Sequence, residues 1–148
     1  MEQHERYMRR ALELARQAAE HGEVPVGCVI VLGGKIVGEG RNRREEKNST
    51  ASHAEMEAIA QANETLGSWR LSGAALYVTL EPCPMCAGAI LNARIERVYY
   101  GARDAAMGAV GGVFNLFVEN FPNRPAVVGG VLAEECAGVL RDFFQSLR

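Results

Sequence analysis

The sequence predicts a three-layer α/β/α domain in which helices cover both faces of one mixed, five-stranded sheet. Two observations lead there. Short β-rich runs alternate along the chain with stretches whose apolar residues recur at helical spacing. The first two β-rich runs are joined by a Gly-Gly turn, which makes them an antiparallel hairpin. The length of 148 residues fits a single domain over 1–148. A chain of this size buries about 68–70 % of its unfolded surface, enough for an ordinary core without disulfides.

The elements follow in order. Met8, Ala11, Leu12, Ala15, Ala18 and Ala19 form one stripe of an opening helix that stops near His21-Gly22. Pro25 to Leu32 and Lys35 to Gly40 flank Gly33-Gly34 as the hairpin. The first of these strands is almost continuously apolar, as an interior strand covered on both faces should be. Residues 41–52 are polar and irregular and read as a loop. A helix carrying Ala54, Met56, Ala58, Ile59 and Ala62 ends near Gly67, and Ala74 to Leu80 is a strand. Pro84 suits the first turn of a helix through Leu91. Arg97 to Tyr100 is a short strand, a glycine-rich loop covers 101–112, and Ala126 to Val128 is the fifth strand. The last helix shows Val139, Leu140, Phe143, Phe144 and Leu147 on one face.

Composition narrows the function. With 48 % apolar and 23 % charged residues, disorder, collagen and disulfide scaffolds are excluded. The net charge of −2 means that any nucleic-acid binding must come from local patches. No run approaches the ~18 apolar residues of a membrane span, and the opening Met-Glu-Gln-His-Glu-Arg predicts no secretory leader. Cysteines at 28, 83, 86 and 136 include one Cys-x-x-Cys, which suits a reducing cytoplasm and one metal or redox site.

His53-Ala54-Glu55 opens one helix and Pro82-Cys83-Pro84-Met85-Cys86 opens another. Two thiolates at this spacing can share one metal, and a helix N-terminus lowers their pKa values. One imidazole with two thiolates favours Zn²⁺ and leaves a fourth position to water, the arrangement of a catalytic zinc. A carboxylate beside it can take and return that water's proton. Alone, the Cys-x-x-Cys equally fits a structural zinc half-site or a redox pair, and His-Ala-Glu an ordinary helix start. On a regular helix, residues two apart point to nearly opposite sides, so spacing alone does not bring Glu55 to the metal.

Together these pieces form the His-x-Glu…Pro-Cys-x-x-Cys signature of zinc nucleobase deaminases. Glu23-Val24-Pro25-Val26-Gly27, Leu66-Gly67-Ser68-Trp69-Arg70-Leu71, Leu76 to Cys83 and Val98 to Asp104 extend the likeness along the whole chain. The sequence resembles the bacterial tRNA-specific adenosine deaminases, the TadA family. The resemblance implies a cytidine-deaminase-like fold, a homodimer, one Zn²⁺ per subunit, and conversion of the wobble adenosine of a tRNA anticodon, arginine tRNA foremost, to inosine. It implies that His53, Cys83 and Cys86 hold the zinc and that Glu55 moves protons from water to N1 and to the departing amine. Asn42 would contact the flipped-out nucleoside, Val26 would pack beside the base, and the backbone around Ala54 would orient the reacting centre. Asp104 would lie near the substrate backbone, and an anticodon loop suits such a site because its bases splay out at little cost.

Other readings stand beside these. Cys28 and Cys136 are small buried residues, though Cys28 as a fourth ligand would close the zinc site and make it structural. His4 and His21 are expected on exposed helix faces. Phe143 and Phe144 read first as core, with contact to a base as the second reading for Phe144. Arg41, Arg43, Arg44 and Lys47 are either a solvated loop or phosphate contacts. The chain departs from the family at Thr50-Ala51-Ser52 (usually Pro-Thr-Ala), at Ala105-Ala106-Met107 (usually with Lys) and at Phe121 to Pro125 (usually with His), and it lacks the basic C-terminal extension of some members. Two alternative functions follow: a guanine- or cytidine-type deaminase of free bases or nucleosides, and a non-catalytic zinc-stabilised RNA-binding module.

Overall fold

A computed structural model describes residues 2–147. The opening helix α1 (Glu2–Glu20) buries the expected stripe of Met8, Ala11, Leu12, Ala15 and Ala18, widened by Tyr7 and Leu14. Ala19 sits at its edge, half-buried. Strands β1 (Gly27–Leu32) and β2 (Lys35–Arg41) form the hairpin. Ile30 pairs with Gly38 and Val31 with Ile36, so Val37 is the extra residue of a β-bulge. β1 also pairs antiparallel with β3 (Ala75–Leu80), which places it inside the sheet and explains its apolar run. A crossover through α4 (Pro84–Ala93) brings β4 (Arg97–Ala102) parallel to β3, and β5 (Ala126–Val128) adds parallel at the edge. The strand order is β2-β1-β3-β4-β5, mixed as expected.

Alternation along the strands divides the core in two. Cys28, Ile30, Leu76 and Val78 face α4 and α3 (Ala54–Leu66). Val29, Val31, Ala75 and Tyr77 face α1 and the last helix, α5 (Ala133–Ser146). Helices therefore cover both faces, which completes the three layers. The α3 layer is seated closely. A Cβ on Gly38 or Gly40 of β2 would collide with the main-chain oxygens of Ala58 and Ala54, so only glycine lets α3 rest directly on the strand. That seat fixes the position of the N-terminus of α3.

Three expectations need correction. Residues 41–52 are not all loop: β2 runs through Arg41, and Arg44–Lys47 form a one-turn helix, α2. Its end is held from elsewhere. The buried Glu23 carboxylate accepts from the Glu45 and Glu46 N–H groups at 3.1 and 2.6 Å, a support no local pattern announces. His4 is not exposed; its ring stacks on Tyr99 at 4.3 Å and its Nδ1 lies 2.6 Å from the Tyr77 hydroxyl. Phe144 is not core, being 48 % exposed, while its neighbour Phe143 is half-buried and packs edge-on against it. Beyond Cys136 the apolar residues of α5 are half-buried or exposed. His21 is exposed as expected, and Cys28 and Cys136 are fully buried.

Candidate active site

Two helix N-termini meet beside β3. His53 is the N-cap of α3 and Cys83 the N-cap of α4, both with extended backbone (φ −81° and −77°). Each carbonyl accepts the first bond of its helix, from Glu57 N and Ala87 N. Neither side chain caps its own helix. An N-cap side chain normally contributes about 1 kcal/mol to its helix; these two are turned toward each other instead. Cys83 Sγ and Cys86 Sγ both lie 3.6 Å from His53 Nδ1, and the three ligand atoms fall within 4.8 Å of one another. A tetrahedral Zn²⁺ with bonds of about 2.3 Å to sulfur and 2.05 Å to nitrogen requires an S···N separation of about 3.6 Å. The donor set fits that ion, with Nδ1 as the imidazole ligand. Among the described residues the metal-capable group consists of these three; Cys28 is packed in the core and does not join it.

The electrostatics suit thiolate ligation. Hydrogen bonding with Cys86, and then with His53, draws the Cys83 thiol down to about 4. Its partner Cys86 is pushed up, first by that same bond and then by burial. Bonding to Cys83 raises the His53 pKa. Glu55, only 4 % exposed, is pushed up to about 7 by burial. The objection from helical spacing does not apply, because His53 precedes the helix with extended backbone and Glu55 is the second helical residue. Both side chains line the same cleft.

That cleft has a volume of about 610 Å³. Val26, Asn42, Ala54, Asp104 and Phe144 line it together with His53, Glu55 and Cys83, whereas Cys86 lies behind them, buried. Asn42 is held in place: its Nδ2 donates to Val24 O at 3.2 Å and its Oδ1 accepts from Arg44 N at 3.2 Å. One Nδ2 hydrogen remains for a ligand. Asp104 shapes its own loop, with Oδ1 accepting from Ala106 N at 3.0 Å and Met107 N at 3.1 Å. Leu140 stands one helical turn from Phe144 on the same wall.

Sequence reasoning overlooked Glu81 and Arg103. Glu81 is 2 % exposed and borders the cleft. Its carboxylate accepts from three main-chain N–H groups: Asp104 at 3.0 Å, Val110 at 3.0 Å and Gly112 at 2.8 Å. The available signal was an acid closing an apolar strand directly before Pro82-Cys83. Arg103 brings a guanidinium to the cleft from the loop after β4, beside Asp104. Arg41, Arg43 and Lys47 prove to be paired with Glu46 and Glu57.

Buried glutamate and thiolate-imidazole group, set at paired helix ends on a sheet of this order, belong to the hydrolytic deaminases with the cytidine-deaminase-like fold. Residues 2–148 match the MafB19-like deaminases, and the chain is a member of that family. It is 50 % identical over 149 residues to the tRNA-specific adenosine deaminase of Bacillus subtilis (strain 168), covering 100 % of this chain and 92 % of that one. A structure solved in studies of A-to-I editing by tRNA:A34 deaminases superposes with a TM-score of 0.89 at 46 % identity, covering 91 % of this chain and 99 % of that chain. Guanine deaminase from Bacillus subtilis superposes with a TM-score of 0.66 at 40 % identity over 78 % and 73 % of the two chains.

Proposed function

We propose that this protein deaminates adenosine to inosine at the wobble position of a tRNA anticodon, arginine tRNA foremost, as a zinc-dependent hydrolase acting through one domain over residues 1–148. The observation that carries the chemistry is Glu55, a buried carboxylate opening onto the same cleft as a three-donor metal group. Similarity to a tRNA-specific deaminase over the full chain supports the substrate.

His53 Nδ1, Cys83 Sγ and Cys86 Sγ would hold the ion. Zn²⁺ bound there would supply Lewis acidity that lowers the pKa of a water toward neutrality. Glu55 would accept a proton from the attacking water and deliver it to N1 of adenine as the oxygen adds to C6. It then carries the proton of the new hydroxyl to the amino group, so ammonia leaves and the C6 carbonyl of inosine remains. The burial that raises its pKa suits a carboxylate that both accepts and donates near neutral pH. Val26 packs on the base, Asn42 offers its remaining N–H to the nucleoside, and the main chain at Ala54 orients the reacting centre. Asp104 and Phe144 meet the adjoining strand.

The working form is a cytoplasmic homodimer. Val113, Phe114, Val118 and Phe121 are each at least 44 % exposed, an apolar surface that association would cover. Among the described residues, no helix is long and apolar enough to cross a membrane.

The test is inosine and ammonia formation on an arginine-tRNA anticodon stem-loop with adenosine at the wobble position. Guanine, cytidine and free adenosine run in parallel. Inosine at that one position is expected; turnover of a small molecule alone would move the enzyme to base or nucleoside chemistry. Glu55→Ala is expected to retain its zinc and lose at least about a hundredfold in turnover. Normal turnover by Glu55→Ala would refute its role as proton carrier, whereas wild-type protein inactive on all four substrates would favour a non-catalytic zinc module.

A further inference from the structure

Two stretches of chain far apart in sequence are laced together along one wall of the cleft. Asn42 N donates to Val26 O at 3.1 Å, and Asn42 Nδ2 donates to Val24 O at 3.2 Å. At the end of the lacing, the Glu23 carboxylate accepts from Glu45 N at 3.1 Å and from Glu46 N at 2.6 Å. Val24, Val26 and Asn42 line the cleft. Glu23 lies behind them, 1 % exposed and outside the metal group.

α2 does not hold itself. A helix of one turn gains too few hydrogen bonds to offset the entropy of its nucleation. Its N-cap, Arg43, supplies no side-chain bond to the free N–H groups of the first turn. Glu23 supplies that support from 22 residues upstream, Oε1 for Glu45 and Oε2 for Glu46. The first residue of α2 is in turn tied to Asn42, because Arg44 N donates to Asn42 Oδ1 at 3.2 Å. The carboxamide is therefore gripped from both sides: Nδ2 by the residue that follows Glu23, Oδ1 by the helix that Glu23 holds. Flipping the amide would set donor against donor at Arg44 and acceptor against acceptor at Val24. While α2 stands, the group left over for a ligand is an N–H.

We propose that Glu23 is a positioning residue for the nucleoside: acting through α2, it fixes the orientation of the Asn42 carboxamide, so that the cleft offers its substrate a donor there and not an acceptor. This role rests on the tRNA reading above, in which Asn42 meets the reacting nucleoside. If α2 melts, Arg44 N is withdrawn and the amide is free to turn either end toward the cleft. Recognition suffers and the metal group does not, since His53 and Cys83 take their places from α3 and α4. Glu23→Gln separates the hydrogen bonds from the size of the side chain. Glutamine has nearly the same shape, but its amide nitrogen is a donor and would face one of the two N–H groups that the carboxylate accepts from.

The experiment sets Glu23→Gln beside Asn42→Ala and the double variant, all zinc-loaded and assayed below the lowest Tm of the set. On the stem-loop with wobble adenosine, Glu23→Gln should lower kcat/KM about tenfold, as the loss of one hydrogen bond to substrate does. Its zinc content should match that of the wild type. In the Asn42→Ala background the same substitution should cost nothing more, because the group it positions is gone. A second readout needs no substrate. The side-chain amide of Asn42, followed by ¹⁵N NMR, should exchange its hydrogens with solvent faster in Glu23→Gln than in the wild type. An unchanged kcat/KM, losses that multiply in the double variant, or an unchanged exchange rate at Asn42 would each overturn the positioning role. Wild-type protein that does not deaminate the stem-loop would instead overturn the tRNA reading, and the exchange rate alone would then decide whether Glu23 fixes the amide.

Discussion

At the scale of single residues, buried carboxylates divide the labour. Glu55 faces the cleft without a committed partner, whereas Glu81 is saturated by three main-chain donors and Glu23 by two. Removing Glu81 strands three N–H groups, each costing about 1–3 kcal/mol when left unpaired and buried. Glu81→Ala should therefore lose at least about 3 kcal/mol, read as a Tm lower by roughly 6–12 °C for a chain of this size. Its metal affinity should fall less than its stability, since no ligand is touched. Cys86→Ala, by comparison, should lose zinc and turnover together, measured by metal analysis and inosine release. Asn42→Ala should keep its zinc and lower kcat/KM on the stem-loop about tenfold, as a hydrogen bond from an amide to substrate allows.

Elements explain what could and could not be read in advance. Apolar periodicity marked α1 and α3, which each bury one stripe, and continuous apolar runs marked β1 and β3, which are covered on both faces. The group of His53, Cys83 and Cys86, which could hold a metal, was legible for a similar reason: each lies at a helix start that Pro84 or a polar N-terminal turn announces. α2 was not legible, since Glu23 stabilises it from 22 residues upstream. The exposure of Phe144 was hidden too, because periodicity reports a face of α5 but not whether another layer reaches it. His4 was missed because its partners Tyr77 and Tyr99 come from the middle of the sheet. The seat of α3 on β2 yields its own prediction. Gly40→Ala forces a methyl against the Ala54 carbonyl, which should cost about 1–3 kcal/mol or more and displace the helix that carries His53. Zinc affinity measured by competition with a chelator should drop along with Tm.

For the molecule as a whole, the metal group ties two helices of one layer across 30 residues of chain between His53 and Cys83. An ion held there would couple its binding to stability. Dialysis against a chelator should lower the Tm of the native protein and leave that of Cys86→Ala unchanged. The net charge of −2 provides no general attraction for RNA, and Arg44 and Arg103 are the arginines that line the cleft. With two phosphates neutralised, a plot of log Kobs against log salt should have a slope of about −1.4 for a single strand. A slope several times steeper would show a far larger electrostatic footprint than the cleft presents.

Glu81 grips the segment from Asp104 to Gly112 by main-chain N–H groups, and Gly108 and Gly112 leave no space there for a side chain. Identity at Ala105, Ala106 and Met107 is thereby uncoupled from the loop's shape. Mutation can rewrite those three positions, which face the cleft, without disturbing His53 and Cys83 on its wall. Such a scaffold is permissive to drift: what the enzyme recognises can diverge while the reaction it performs is inherited intact.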